Sequence, residues 1–391
     1  MANTLTNLIP VMYEGLDMVA RERVGAIHAV TRDTSLVKVA KGQSLVIPIA
    51  PAATAYDITP GVTAPNDGDQ VFANTTLTID KSKYVPIRWN GEEMRGLNNG
   101  GPGYRRLLAD QFAQSIRTLT NLVETDIVDS ARKHASRAAA STPGTAPFGT
   151  SGDMSDAALL AQILDDNGAP ESDRHLILGS KAVANLRGKQ TMLLQLNTSG
   201  DRSLLRRGSL GEPIMGFELH NSAAVVNHTK GTGATVNTDA TGYAIGATSI
   251  ILKSTGGTGT IKEGDVITFA GDTNRYVVTG GDTDISNGGT ITIGKPGLRV
   301  AIAAAETVIT IINSFQPTVA LVKSAMALAT RRPASPEGGD MADDVITIVD
   351  PLSGIGFEVS LYRQYRQIKY EVALAWGVGP VKEDFIAVYP G

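Results

Sequence analysis

The chain has 391 residues, 42% of them hydrophobic and 19% charged, which is enough for two or three domains that each bury a core. Its formal charge of −4 and pI near 5.8 exclude sequence-independent polyanion binding by counterion release as a primary role. The absence of cysteine excludes disulfides and thiolate metal sites, and aromatics at 5% with 42 glycines point to a chain rich in strands and turns.

Met1 to Pro10 lacks the basic and apolar regions of a signal peptide, and no apolar run approaches the roughly 20 residues of a membrane helix, so a soluble product made in the cytoplasm is expected. Leu16, Val19, Ala20, Val24 and Ile27 recur at spacings of three and four, which predicts a short arm helix. Two β-prone runs flank Lys41-Gly42, the second being Ser44 to Ile49, and Leu77 to Trp89 alternates as a further strand. Pairing Leu77 to Trp89 back on Ser44 to Ile49 predicts a long two-stranded flap with Pro51, Pro60 and Pro65 at its loop end. Such a hairpin has little core of its own and needs a partner surface, a neighbouring subunit.

From Tyr104 to about Ala140 the apolar positions Leu108, Phe112, Ile116, Leu119, Val123, Ile127 and Ala131 step by three or four, with charges on the other faces. This predicts one helix of about 50 Å, bounded by Gly100 to Gly103 and by Pro143-Gly144. Ser155 to Asp165 reads as a short helix with Ser155 as N-cap and Asn167-Gly168 at its end, His175 to Leu178 as a buried strand, and Lys181 to Arg187 as a second short helix. That alternation suggests a compact α+β domain.

Gly233 to Ile312 differs from both flanks. Glycine and threonine dominate, no helical period occurs, and β-branched runs recur at Ser249 to Leu252, Asp265 to Phe269, Arg275 to Thr279, Thr290 to Ile293 and Thr307 to Ile312. A small barrel or sandwich, inserted with boundaries near Lys230 and Asn313, is expected. After it come a mixed apolar segment, Val319 to Thr330, and strands at Val345 to Val349, Phe357 to Tyr362 and Lys369 to Ala375.

No constellation of catalytic residues is found. His28, His134, His175, His220 and His228 are scattered, and none joins carboxylates at helical or hairpin metal-site spacing, so structural or surface histidines are expected and no metal site is assigned. Asp282 to Gly288 superficially resembles a calcium loop, but Asn287 stands at the sixth position and Ile293 at the twelfth, which favours a β-turn. Neither a phosphate-binding glycine loop nor a nucleophile elbow occurs, so no catalytic or cofactor-binding residue is assigned. Asp165-Asp166 and Asp343-Asp344 are neighbours in sequence, which rarely face one another, and read as cap or loop charges. Arg105-Arg106 and Arg132-Lys133 offer either a DNA-facing surface or a solvated helix face with Asp129 and Lys133 as an exposed pair, and Arg206-Arg207 adds nothing specific.

The order of these parts, together with Gly211 to Leu219 (GEPIMGFEL), Ile261 to Val278 (IKEGDVITFAGDTNRYVV), Ala325 to Pro333 (AMALATRRP), Asp350 to Arg366 and Trp376 to Pro390, resembles tailed-phage major capsid proteins with the Hong Kong 97 fold. Within that family it is similar to the P-22 type coat proteins, which carry an inserted β-barrel. The resemblance implies an α+β capsid fold: an N-terminal arm (1–40), an extended loop (41–95), a spine helix with peripheral domain (96–145), an axial domain (146–232), the inserted barrel (233–312), and the rest of the axial domain with C-terminal peripheral strands (313–391). It implies a structural role, with pentamers and hexamers forming an icosahedral procapsid that expands as DNA is packaged. Implied partners are copies of itself, a scaffolding protein, a portal, a decoration protein, and packaged double-stranded DNA met non-specifically at the inner wall. No membrane, cofactor or enzymatic activity is implied, and the implied location is the virion capsid, assembled in the host bacterial cytoplasm.

In the family the insert helps monomer folding and adjusts capsid contacts. Tyr243, Phe269 and Tyr276 are read as its only aromatics and no basic groove accompanies them, so nucleic-acid binding is not assigned to it. Some capsids of this fold cross-link lysine to asparagine; Lys81 and Lys83 lie in the implied loop with Glu92-Glu93 nearby, no partner asparagine is evident, and no isopeptide is expected. The alternative reading is a phage tail, decoration or surface-adhesin protein, since Gly/Thr-rich β-domains serve there too.

Overall fold

The apolar stripe closes into one long helix, Tyr104–Lys133, about 45 Å at 1.5 Å per residue. All seven stripe residues are buried, in a core shared with Met326, Phe357, Val372 and Trp376. Each fully buried large side chain contributes about 1.5–3 kcal/mol, so packing rather than helix propensity holds this element in place. The helix stops short of Ala140 because the Ser136 and Ala139 amides donate to the carbonyls of Ile386 and Val388, and Arg137–Ala138 becomes a strand. Sheet acceptors take those amides in place of another helical turn.

The computed structural model describes residues 25–50, 53–63, 68–98, 104–150, 154–188, 215–351 and 353–391. The arm helix expected before Val24, the glycines before Tyr104, the pair Arg206-Arg207 and the start of the Gly211 to Leu219 segment lie outside them. Ile27 falls in a 3-10 turn, Ala26–Ala29, wedged into the main core.

The long helix packs on a seven-stranded sheet ordered Thr31–Asp33, Met326–Pro333, Gln367–Pro380, Gly356–Gln364, Asp344–Val349, with Lys38–Val39 beside Met326–Pro333 and Lys81–Asn90 beside Gln367–Pro380. Here the expected flap is corrected. The run Leu77 to Trp89 divides at Ile79-Asp80: Ala73–Thr78 pairs with Ser44–Ile49, whereas Lys81–Asn90 runs antiparallel along Gln367–Pro380 from Lys81↔Trp376 to Asn90↔Gln367. Buried Ile87 and half-buried Val85 and Trp89 pack against the main core, and that burial draws the second half of the run into the sheet. A helix not read from sequence, Gly91–Asn98, follows it with no buried residue. Its start is a capping box, in which the Glu93 amide donates to Asn90 Oδ1 and the Asn90 amide donates to Glu93 Oε2.

A second sheet runs Glu218–Asn221, Arg174–Leu178, Pro317–Val322, Ile386–Pro390, Arg137–Ala138 and onward into the Gly/Thr-rich segment. Helices Ser155–Asp166 and Ser180–Gly188 cover it through Leu160, Leu164, Val183 and Leu186. Met154 takes the N-cap position expected for Ser155, and the first helix ends at Asn167 with Gly168 at φ 71°. The apolar segment Val319 to Thr330 forms two strands, divided by a 3-10 turn at Lys323–Ala325.

In the Gly/Thr-rich segment, strands fall at Val236–Asn237, Ser249–Leu252, Val266–Phe269, Arg275–Gly280, Gly289–Ile293 and Val308–Ile311. Their pairings form a ring. Val236–Asn237 meets Val308–Ile311, then Val266–Phe269, Arg275–Gly280, Gly289–Ile293 and Ser249–Leu252. Thr238↔Leu252 and the Lys253 amide on Asn237 O close the circuit. A separate apolar cluster fills it, including Ile250, Ile267, Phe269, Tyr276, Val278 and Ile291.

Candidate assembly interface

The Ser44–Ile49/Ala73–Thr78 hairpin is a two-stranded sheet by itself and, among the described residues, pairs with no third strand. Its root is fixed: Gly42 at φ 94° turns the chain so that its amide donates to Ile79 O, and the Ile79 amide donates to Gln43 O. Leu77 and Ile79 are buried there with Val39, Ala327, Ala329 and Ala375. Gly377 lies against the Thr78 carbonyl, where a Cβ would collide. Beyond the root, Val46, Val71 and Phe72 are exposed, and Tyr56 and Ile58 in the connecting segment are too, Ile58 at 97%. Of nineteen exposed large hydrophobics among the described residues, six lie on this projection, Val46, Tyr56, Ile58, Val62, Val71 and Phe72, which concentrates uncovered apolar surface there.

A buried polar joint ties the ring of strands to the long helix. Asp265 is fully buried and accepts from His228 Nε2 at 2.7 Å, the Lys262 amide at 2.8 Å and the Gly231 amide at 3.0 Å. Arg132 Nη1 stands 2.7 Å from His228 Nδ1. A guanidinium only donates, so Nδ1 accepts and Nε2 carries the proton given to Asp265. Gly264, at φ 82°, packs directly under the Arg132 guanidinium, and Gly231 packs on the Thr260 carbonyl, so neither position has room for a side chain.

A second joint anchors the turn Ala26–Ala29. Buried Glu124 on the long helix accepts from the Ala26 and Ile27 amides at 3.0 and 2.9 Å and from Ser222 Oγ at 2.7 Å. Burial raises its pKa, and those three donors together with the Gly25 amide oppose the shift.

The charged candidates read from sequence are mostly engaged. Lys81 sits in the core sheet and pairs with Asp126, which also accepts from Trp376 Nε1 at 2.7 Å. Arg132 is buried, contrary to a DNA-facing surface there; it binds Asp129, and Lys133 pairs with Asp129 at 2.8 Å. Asp165 and Asp166 bind Arg174 and Arg137. In the calcium-like loop Asp282 Oδ1 accepts from the Asp284 amide and Asp284 Oδ1 from the Ser286 amide, a pair of turns. Phe269 and Tyr276 lie inside the ring, and Tyr276 donates to Asp272. Of the histidines, His134 lies 3.3 Å from Glu383 and His228 belongs to the Asp265 joint. His175 and His220, 45 residues apart, are brought together: Nδ1 of one lies 2.8 Å from Nε2 of the other, with Glu218 beside them. Burial first, then the charge of His175, lowers the His220 pKa to about 4. The histidine spacing gives no hint of this, because parallel strand register alone places His175 opposite Glu218.

No protein-family model matches the chain, and no curated protein matches it. Solved structures align along most of it. A chain of the cyanophage P-SCSP1u capsid is 11% identical with a TM-score of 0.49, covering 92% of this chain and 86% of that one. A Mycobacterium phage Che8 chain is 14% identical with a TM-score of 0.44, covering 89% and 85%. The virus-like particle of Pyrococcus furiosus is 10% identical with a TM-score of 0.44, covering 97% and 98%. Capsid structures recur among these neighbours. Among the described residues no helix is long and apolar enough to cross a membrane.

Proposed function

We propose that this chain is the major capsid protein of a tailed double-stranded DNA phage or prophage, a structural subunit that assembles as pentamers and hexamers into an icosahedral shell. The observation that carries this reading is the apolar two-stranded projection, which is rooted firmly on the core yet has no cover among the described residues. A surface of that kind on a monomer is an aggregation liability unless identical copies cover it, and repeating the contact around a shell does so. The long helix and the sheet beneath it form the rigid body from which the projection reaches a neighbour.

In this reading residues 43–79 are the extended loop, 104–133 the spine helix, and 233–312 an inserted β-barrel domain bound to the spine through Asp265, His228 and Arg132. The work is geometric rather than catalytic: identical chains flex the projection to fill non-equivalent positions, and maturation switches between two packings. A scaffolding protein, a portal, a decoration protein and packaged DNA at the inner wall are the partners, and the virion capsid, assembled in the bacterial cytoplasm, is the location.

The test places charge on the projection. Val46→Asp with Phe72→Asp should leave the far-ultraviolet circular dichroism and melting of the subunit unchanged while abolishing fast-sedimenting particles on co-expression with the neighbouring phage genes. Undiminished particle yield would contradict the reading.

A further inference from the structure

We propose that His175, Glu218 and His220 form a binding site for a single divalent transition-metal ion of the zinc type. The parallel register His175↔Glu218 and Ile177↔His220 sets all three side chains on one face of the sheet edge, while Leu176 and Leu219 point to the opposite core. His175 offers Nδ1 and His220 offers Nε2, 2.8 Å apart; Glu218 Oε2 lies 3.5 Å from the first and Oε1 3.9 Å from the second. The carboxylate contacts are too long for hydrogen bonds. A tetrahedral zinc ion with ligands at about 2.0–2.1 Å spaces those ligands about 3.3 Å apart; here one ligand atom from each of the three residues lies within 4.8 Å of the others, so small side-chain rotations close the set on an ion. Two imidazoles and a carboxylate are a borderline-soft set that suits zinc, cobalt or nickel over magnesium or calcium.

Surroundings are consistent with a bound cation. Both imidazoles are almost wholly enclosed, with side-chain exposures of 4% and 10%, whereas Glu218 is 56% exposed and leaves the fourth position open to solvent. An ion here would fasten the edge strand Glu218–Asn221 to Arg174–Leu178 without a disulfide, which this chain has no cysteine to make. The inference is independent of the capsid reading.

The test titrates zinc chloride into the untagged, chelator-treated full chain by calorimetry and follows cobalt by its visible absorption. The expected result is one ion per chain, a tetrahedral cobalt spectrum, and a melting temperature raised by zinc. Since losing even an outer-shell partner costs 10–100-fold in affinity, His220→Ala and Glu218→Gln should each weaken binding by about 100-fold or more, and neither should melt higher with zinc. His134→Ala, remote from the cluster, should bind as the parent does. Absence of saturable binding, or equal affinity in His220→Ala, overturns the site. Circular dichroism confirms that each variant is folded, and Glu218→Gln, at an exposed position, carries the test should His220→Ala unfold.

Discussion

Replacing Asp265 by alanine tests how the ring of strands is joined to the rest of the molecule. The carboxylate is fully buried and takes three donors: His228 Nε2 at 2.7 Å, the Lys262 amide at 2.8 Å and the Gly231 amide at 3.0 Å. Each buried donor left without an acceptor costs about 1–3 kcal/mol, so losing the acceptor for three of them in Asp265→Ala should cost about 3–9 kcal/mol, a large fraction of the roughly 5–15 kcal/mol of an ordinary domain. Asp265→Asn keeps one acceptor oxygen and turns an amide towards a donor, and should lose about 2–3 kcal/mol. Trp89 and Trp376 are the only tryptophans and lie outside residues 233–312, so fluorescence during urea unfolding reports the long-helix core. Hydrogen exchange at Val266–Phe269 and Arg275–Gly280 reports the ring. Both probes should register the loss, exchange the more strongly. A loss below about 1 kcal/mol in Asp265→Ala would refute the claim that this carboxylate holds the joint.

Gly264→Ala should destabilise by about 2 kcal/mol or more, since it combines a positive φ of 82° with a collision against Arg132; thermal melting measures it, and an unchanged midpoint would contradict the packing described. Phe112→Ala should cost about 3–5 kcal/mol in urea unfolding, because the ring is fully buried in the long helix's stripe. For Glu124 the sign follows from its raised pKa: the folded state holds the proton more tightly than the unfolded chain does. Its contribution is therefore complete below about pH 4.5 and is lost as pH rises through the raised value. The stability advantage of the parent over Glu124→Gln should shrink as pH rises above about 4.5; growth of that advantage with pH would sink the assignment.

What could be read from sequence follows from where burial is periodic. The long helix was legible because its stripe is unbroken and entirely buried, and five Gly/Thr-rich strands were placed within two residues because alternation there matches an inside and an outside, while the two-residue strand Val236–Asn237 is too short to alternate. Alternation marks a strand without naming its neighbour, which is why Lys81–Asn90 was paired with Ser44–Ile49 when it belongs to the C-terminal sheet. Gly91–Asn98 buries nothing and so has no stripe; only Asn90 and Glu93, in capping-box spacing, announce it. The end of the long helix was overshot because Ala135 to Ala140 is small and helix-compatible, and carbonyls from the last strand decide its structure. The joints were invisible for the same reason as the histidine cluster. Glu124 and Ser222 are 98 residues apart, His228 and Asp265 are 37 apart, and register and crossing geometry bring them together.

Electron microscopy of the full chain expressed in bacteria, with and without the products of the genes adjacent to its own, tests the proposed capsid role most directly. Uniform spherical shells of icosahedral symmetry, with the Ser44–Ile49/Ala73–Thr78 projection lying across an adjacent subunit, are the predicted result. Monomers or small closed rings alone under both conditions would contradict it.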